Sequence, residues 1–148
     1  MTGTAPPLPY LPTLGEPSAT FWRGGSDNVL RFLRCNDCDL YLHPPAPVCR
    51  RCFSRATSWQ PVSGLGTVKS LTIRMTAFPG LHEFGSNVIA IVSLDEQPDL
   101  SFTTNIVGDD PHAAYVGQRV QVRFAQIEDV TLPMFEPAIG TQKLRTSA

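Results

Sequence analysis

In the second half of the chain apolar residues return at alternate positions, the period of a strand with one face in a core. Across Thr67–Met75, Leu71, Ile73 and Met75 fall on one side, with Val68, Ser70, Thr72 and Arg74 on the other. Asn87–Leu94 is denser and predicts a central strand, and Leu100–Val107 predicts a third. Between them, Asp95-Glu96-Gln97-Pro98-Asp99 is a polar break with a proline, as a hairpin connection requires. Asp109–Gly117 predicts a helix of one to two turns, with Asp110 as cap, Pro111 at the first helical position and Gly117 at the end. Arg119–Phe124 sets Val120, Val122 and Phe124 inward, and Val130–Phe135 predicts a fifth strand broken by Pro133. Three strands, a short helix and two more strands is the order of a five-stranded Greek-key barrel of the OB type; a small sandwich is the competing architecture.

The first half is patterned differently. Met1–Pro17 carries Pro6, Pro7, Pro9, Pro12 and Pro17, which excludes a helix and predicts an extended arm. Ser18–Arg23 is free of breakers and stops at Gly24-Gly25, predicting a short helix anchored by Phe21 and Trp22. Val29–Arg34 and Thr57–Val62 predict strands, and Ser63-Gly64-Leu65-Gly66 a turn or hinge.

Between those strands lie all four cysteines, Cys35-Asn36-Asp37-Cys38 and Cys49-Arg50-Arg51-Cys52. Each two-residue spacer sets both of its sulfurs on one side of a tight turn, so the four can converge tetrahedrally on zinc, and the module predicted is a zinc ribbon. Two disulfides would need an oxidising compartment, and a thioredoxin-type redox pair needs only one such motif at a helix start. Four thiolates leave no open coordination position, so the metal is read as structural. The residues after the second cysteine of each pair are Asp39 and Phe53, where glycine is common. Aspartate tolerates left-handed backbone but phenylalanine there is costly, which predicts a distorted or partly loaded second knuckle. The division expected is an arm over 1–17, helix and ribbon over 18–62, a barrel over 63–136 and a flexible tail over 137–148.

Composition narrows the function. Of 148 residues, 42% are apolar, which argues against disorder, and no apolar run approaches the length that spans a bilayer. The start of the chain has neither a charged leader nor an apolar stretch, and a cytoplasmic protein is expected. The net charge is −1, a poor footprint for holding a nucleic-acid backbone. Residues 1–74 sum to +4 and residues 75–148 to −5, which suits a compact anion such as a phosphorylated cofactor, or is simply solvated charge unevenly spread. No hydrolase elbow, zinc-protease helix or phosphate loop is present, and His43, His82 and His112 are scattered among turn residues. The metal claims every cysteine, so no nucleophilic thiol remains, and a chain that is not catalytic alone is expected.

The order of features resembles a known family. Phe21-Trp22 before a strand, a four-cysteine ribbon with Pro44-Pro45 and Pro47-Val48-Cys49, then Ser63-Gly64-Leu65-Gly66-Thr67-Val68, Leu94-Asp95-Glu96, Asn105-Ile106-Val107-Gly108-Asp109, Gly117-Gln118-Arg119-Val120 and Leu132-Pro133-Met134-Phe135 resemble the OB-fold acyl-CoA-associated proteins with an N-terminal rubredoxin-like zinc ribbon, domain-of-unknown-function family thirty-five. The resemblance implies an accessory subunit of a thiolase-like enzyme: a thiolase, a condensing enzyme or an aldolase that shortens steroid side chains. It would stabilise that enzyme in a hetero-oligomer and help to form the acyl-CoA path, with the catalytic residues on the other chain.

Two readings of the residues accompany it. Phe78, Leu81 and Phe84, in a glycine-punctuated connection, together with Phe21 and Trp22, are the candidate partner contact, or else they cap the open end of the barrel. Arg50, Arg51, Lys69 and Arg74 are candidate contacts for the phosphates of a CoA thioester. The rival function is a single-stranded nucleic-acid-binding ribbon and OB module, disfavoured by the acidic barrel half.

Overall fold

One short strand is buried on both of its faces, and it joins the two halves of the molecule. In β1 (Arg31–Cys35), Phe32 enters one apolar cluster and Leu33 another. The computed structural model describes residues 11–75 and 87–140. Within them α1 (Ala19–Arg23) ends at Gly24 as expected, and the chain goes on into a separate 3₁₀ turn, Gly24–Asp27, closed by Asn28 in the left-handed region at φ 62°. Gly25 serves close approach instead: a Cβ there would lie 2.5 Å from the Phe124 ring and 2.8 Å from Thr131.

β1 pairs antiparallel with β2 (Tyr41–Leu42) and β3 (Thr57–Pro61) in a three-stranded sheet with β1 in the middle. On its ribbon side Leu33, Cys35, Leu40, Leu42 and Cys49 form a small core. The other side joins the main core, where Phe21, Leu30 and Phe32 pack with Val68, Val88, Val92, Leu100, Phe102, Ile106, Val120 and Phe135. β1 therefore belongs to two cores at once, the ribbon's own small one and the larger one of the barrel.

The barrel strands are β4 (Leu65–Ile73), β5 (Val88–Leu94), β6 (Ser101–Asn105), β7 (Arg119–Ile127) and β8 (Val130–Pro137), in the spatial order β6-β5-β4-β7-β8. All neighbours are antiparallel, and the sheet closes on itself where Ile106 bridges Phe135 in parallel and the Val107 N–H donates to the Phe135 carbonyl at 2.8 Å. One sheet closing on itself is the OB arrangement, not the sandwich.

Three expectations change. The face predicted for β4 is wrong at its start: Val68, placed on the polar side, is 1% exposed, while Ile73 is 40% exposed. A β-bulge between Val68 and Ser70 shifts the register, so Val68 and Leu71 both face β5 residues of the interior, Val92 and Ala90. The helix predicted over 109–117 is a single 3₁₀ turn, Pro111–Ala113, and the Asp110 side chain makes no cap bond. Two bonds to Val68, from the Gly117 N–H to its carbonyl at 2.8 Å and from its N–H to the Gln118 carbonyl at 2.9 Å, draw the chain into strand pairing before a second turn can form. Pro133 does not break β8. Its carbonyl accepts the Thr104 hydroxyl at 2.9 Å, and β8 ends the strand order, with a single bridge to Ile106 just past β6 on its far side, an edge-like position where proline is tolerated. No helix among the described residues is long and apolar enough to cross a membrane.

The β5–β6 turn is held both within the barrel and against the ribbon. Glu96 accepts the Ser63 N–H at 2.5 Å, Asp99 pairs with Arg50 of the ribbon, and Asp95 grips Arg119 of β7 with oxygens 2.7 and 2.5 Å from its guanidinium nitrogens.

Candidate metal centre

The two cysteine pairs fold into equivalent turns. The Asp39 N–H donates to the Cys35 carbonyl at 3.0 Å, and the Phe53 N–H donates to the Cys49 carbonyl at 2.9 Å. Both turns end in left-handed backbone, at φ 63° for Asp39 and 59° for Phe53. The second knuckle is thus not distorted relative to the first; the phenylalanine adopts the conformation that glycine would have taken freely. For a residue with a Cβ this costs about 1–2 kcal/mol.

The four sulfurs lie within 4.8 Å of one another, and the Cys35–Cys52 and Cys38–Cys49 pairs are each 3.5 Å apart. A tetrahedral ion with bonds of about 2.3 Å sets its sulfurs about 3.8 Å apart, so this constellation fits a Cys₄ zinc site. No disulfide joins any of them. Crowding separates their acidities. The Cys52 and Arg51 N–H groups help to bring the Cys49 thiol down to about 6. The Ser54 N–H acts to lower Cys52, yet desolvation and the other three thiols push it up to about 12. Four clustered thiolates repel one another unless a cation sits among them, and this is the chemistry of a metal centre. All four ligand positions are taken by protein, so a zinc held here would pin the two knuckles together and activate no water.

Two family models match the chain: the rubredoxin-like zinc ribbon domain of ChsH2 over residues 22–58 and the C-terminal OB-fold domain of ChsH2 over residues 59–125. The chain belongs to the ChsH2 family. Among solved structures it is similar to a chain described as "Ltp2-ChsH2(DUF35) aldolase", with 26% identity and a TM-score of 0.71, covering 87% of this chain and 100% of that one. It also shares its fold with a protein of unknown function from the DUF35 family of Sulfolobus solfataricus, with 14% identity and a TM-score of 0.57, covering 84% and 87% of the two chains. No curated protein matches it by sequence.

Other residues singled out in the sequence are placed as follows. Phe21 is 8% exposed and stacks among Phe32, Phe102, His43 and Trp59, with centroids 5.5–6.4 Å apart; its ring lies in the core, as the helix anchor expected, which leaves it no surface for the alternative role of partner contact. Trp22 is half-buried and edge-on to Phe21 at 4.9 Å. Phe78, Leu81 and Phe84 lie outside the described residues. The four candidate phosphate contacts fall on different units. Arg50 is paired with Asp99, and the Arg51 guanidinium reaches the Cys38 carbonyl at 3.5 Å, both on the ribbon. Lys69 is exposed on β4, and Arg74 follows that strand's end.

Neither described histidine stands beside a nucleophile. His43 is enclosed by Phe21, Phe32 and Phe102, and His112 is bonded to Asn87 at 2.6 Å. What the sequence reading missed is the exposure of Phe53, at 78%. The signal in the sequence is a phenylalanine at a glycine position.

Proposed function

We propose that this chain is the non-catalytic accessory subunit of a thiolase-like acyl-CoA enzyme, stabilising that subunit and helping to form the path of the acyl-CoA. The observation that carries this reading is its likeness, over the whole of that chain, to the ChsH2(DUF35) component of an aldolase named together with Ltp2. Site chemistry agrees with it. All four cysteines are gathered in one metal-type cluster, and neither His43 nor His112 is set up as a base. The centre is built for rigidity: a zinc among Cys35, Cys38, Cys49 and Cys52 would hold both knuckles in fixed relation to β1, which is continuous with the barrel core. On this reading the acyl-CoA is bound jointly with the partner. Lys69 on β4 and Arg74 just after it are the candidate contacts for its phosphates on the barrel.

The test is co-expression with a thiolase-like protein from the same organism. A stable complex on a sizing column, with carbon–carbon bond cleavage or formation requiring both chains, is the expected result. Separate elution with full activity of the other chain alone overturns the reading.

A further inference from the structure

Phe53 combines two unfavourable features with no structural return among the described residues. Its backbone is left-handed at φ 59°, where glycine would sit without strain, and its ring is 78% exposed, so it packs no core. It is also the one aromatic among the exposed large hydrophobic residues described. A strained residue that the surrounding structure holds in place points to use rather than to stability.

The surroundings do hold it. The Phe53 N–H donates to the Cys49 carbonyl, Arg50 is tied to Asp99 of the barrel turn, and Cys49 and Cys52 of the same turn belong to the four-sulfur cluster. The ring is therefore presented by a rigid turn, and little ordering entropy remains to be lost when it is covered. Its flanks are cationic. Residues 49–56 contain Arg50, Arg51 and Arg55 and no carboxylate, and neither Arg51 nor Arg55 has a carboxylate partner among the described residues. An aromatic knob between arginines is the composition of a protein-interface hot spot. Charge complementarity then defines what covers it, as Asp99 already illustrates by seating on Arg50. A single-strand nucleic-acid platform would need several aromatics along a cationic track; here one ring stands next to a barrel half of charge −5.

We propose that Phe53 is the anchor by which the second knuckle docks into an apolar pocket, rimmed by carboxylates, on the thiolase-like subunit; this rests on the accessory-subunit reading above. The ring enters the pocket, and Arg51 and Arg55 meet the acidic rim.

The experiment compares the full-length chain with Phe53→Gly and Arg55→Glu for binding to the thiolase-like protein of the same organism that forms the complex, by calorimetry at low and high salt. Phe53→Gly relieves the strained backbone, so it is expected to keep its zinc and to melt no lower than the parent. It is nevertheless expected to bind roughly tenfold more weakly or worse. Arg55→Glu is expected to weaken binding and to reverse the salt dependence of the parent. If the parent binds and Phe53→Gly binds equally well, this inference is overturned and the accessory role stands. If the parent does not bind at all, the accessory role falls and this inference falls with it. Two further outcomes also overturn it: micromolar binding of a labelled single-stranded oligonucleotide that Phe53→Gly abolishes, or a self-associated parent that Phe53→Gly converts to monomer.

Discussion

The side chain of Gln97 closes the outer edge of β2 by exchanging two hydrogen bonds with Tyr41. Its carbonyl oxygen accepts the Tyr41 N–H at 2.9 Å, and its amide nitrogen donates to the Tyr41 carbonyl at 3.2 Å. A barrel turn thus supplies, through one side chain, the ladder bonds a neighbouring strand would have made to the ribbon sheet. Gln97→Ala leaves both backbone groups of Tyr41 without these partners and is expected to cost about 1–3 kcal/mol. Denaturant titration reads the loss, and hydrogen exchange should show faster opening of 41–42 with the zinc content unchanged. Equal exchange in parent and variant would mean that water replaces the glutamine at no cost.

The metal centre is expected to be structural. Cys49→Ser removes the buried sulfur nearest to Cys38 and should abolish stoichiometric zinc by elemental analysis while lowering stability by several kcal/mol. Chelation of the parent should lower its melting temperature in the same direction. A melting curve indifferent to both treatments would show that the knuckles hold without metal.

Asp27 and Arg31 tie the 3₁₀ turn to β1 with a bond of 2.6 Å. The Arg31 guanidinium, as hydrogen-bond donor, brings the Asp27 carboxyl from 3.8 to about 2. The folded form therefore favours the carboxylate. Its contribution is complete above the unfolded value near 3.8 and is lost as pH falls from there through about 2. Asp27→Asn should flatten stability against pH across that window, read by urea titrations at successive pH values. An unchanged acid limb would assign it to other carboxylates.

His43 titrates in the opposite setting. Burial lowers its pKa below 6.5, because the ring stands between Phe32 at 5.1 Å and Phe102 at 5.5 Å with its Nδ1 buried and unpartnered. The unfolded chain takes up a proton first, so stability is fully present above pH 6.5 and declines as pH falls below it. His43→Leu removes that decline and relieves an orphan polar atom worth about 1–3 kcal/mol. Stability measured at pH 7 and pH 5.5 should differ less in the variant than in the parent; an equal difference would clear His43 of the effect.

How far the sequence could be read depended on the range of the interactions involved. The cysteine spacing was legible because each knuckle is a local turn: four residues determine where two sulfurs point, and the structure brings the two pairs within 4.8 Å. The barrel order was legible because strand periodicity and polar breaks are local as well. Phase and length were less so. Nothing in the composition of Val68-Lys69-Ser70 announces a bulge, which forms because Val68 and Leu71 are both drawn inward against Val92 and Ala90 of β5. Asp110-Pro111 has the chemistry of a helix start, yet pairing at Val68 ends the helix after a single turn.

By itself the sequence determined the metal-type cluster, the mainly β class and the order of ribbon before barrel, since these follow from spacing and alternation within short stretches. Only the tertiary structure decided that Phe21 is core, that Phe53 stands exposed on a strained knuckle, and that Gln97 and Asp99 bind the ribbon to the barrel. The physical reason is separation along the chain. Tyr41 and Gln97 are 56 residues apart, and which side chain ends beside which backbone is settled only when the two cores close around β1.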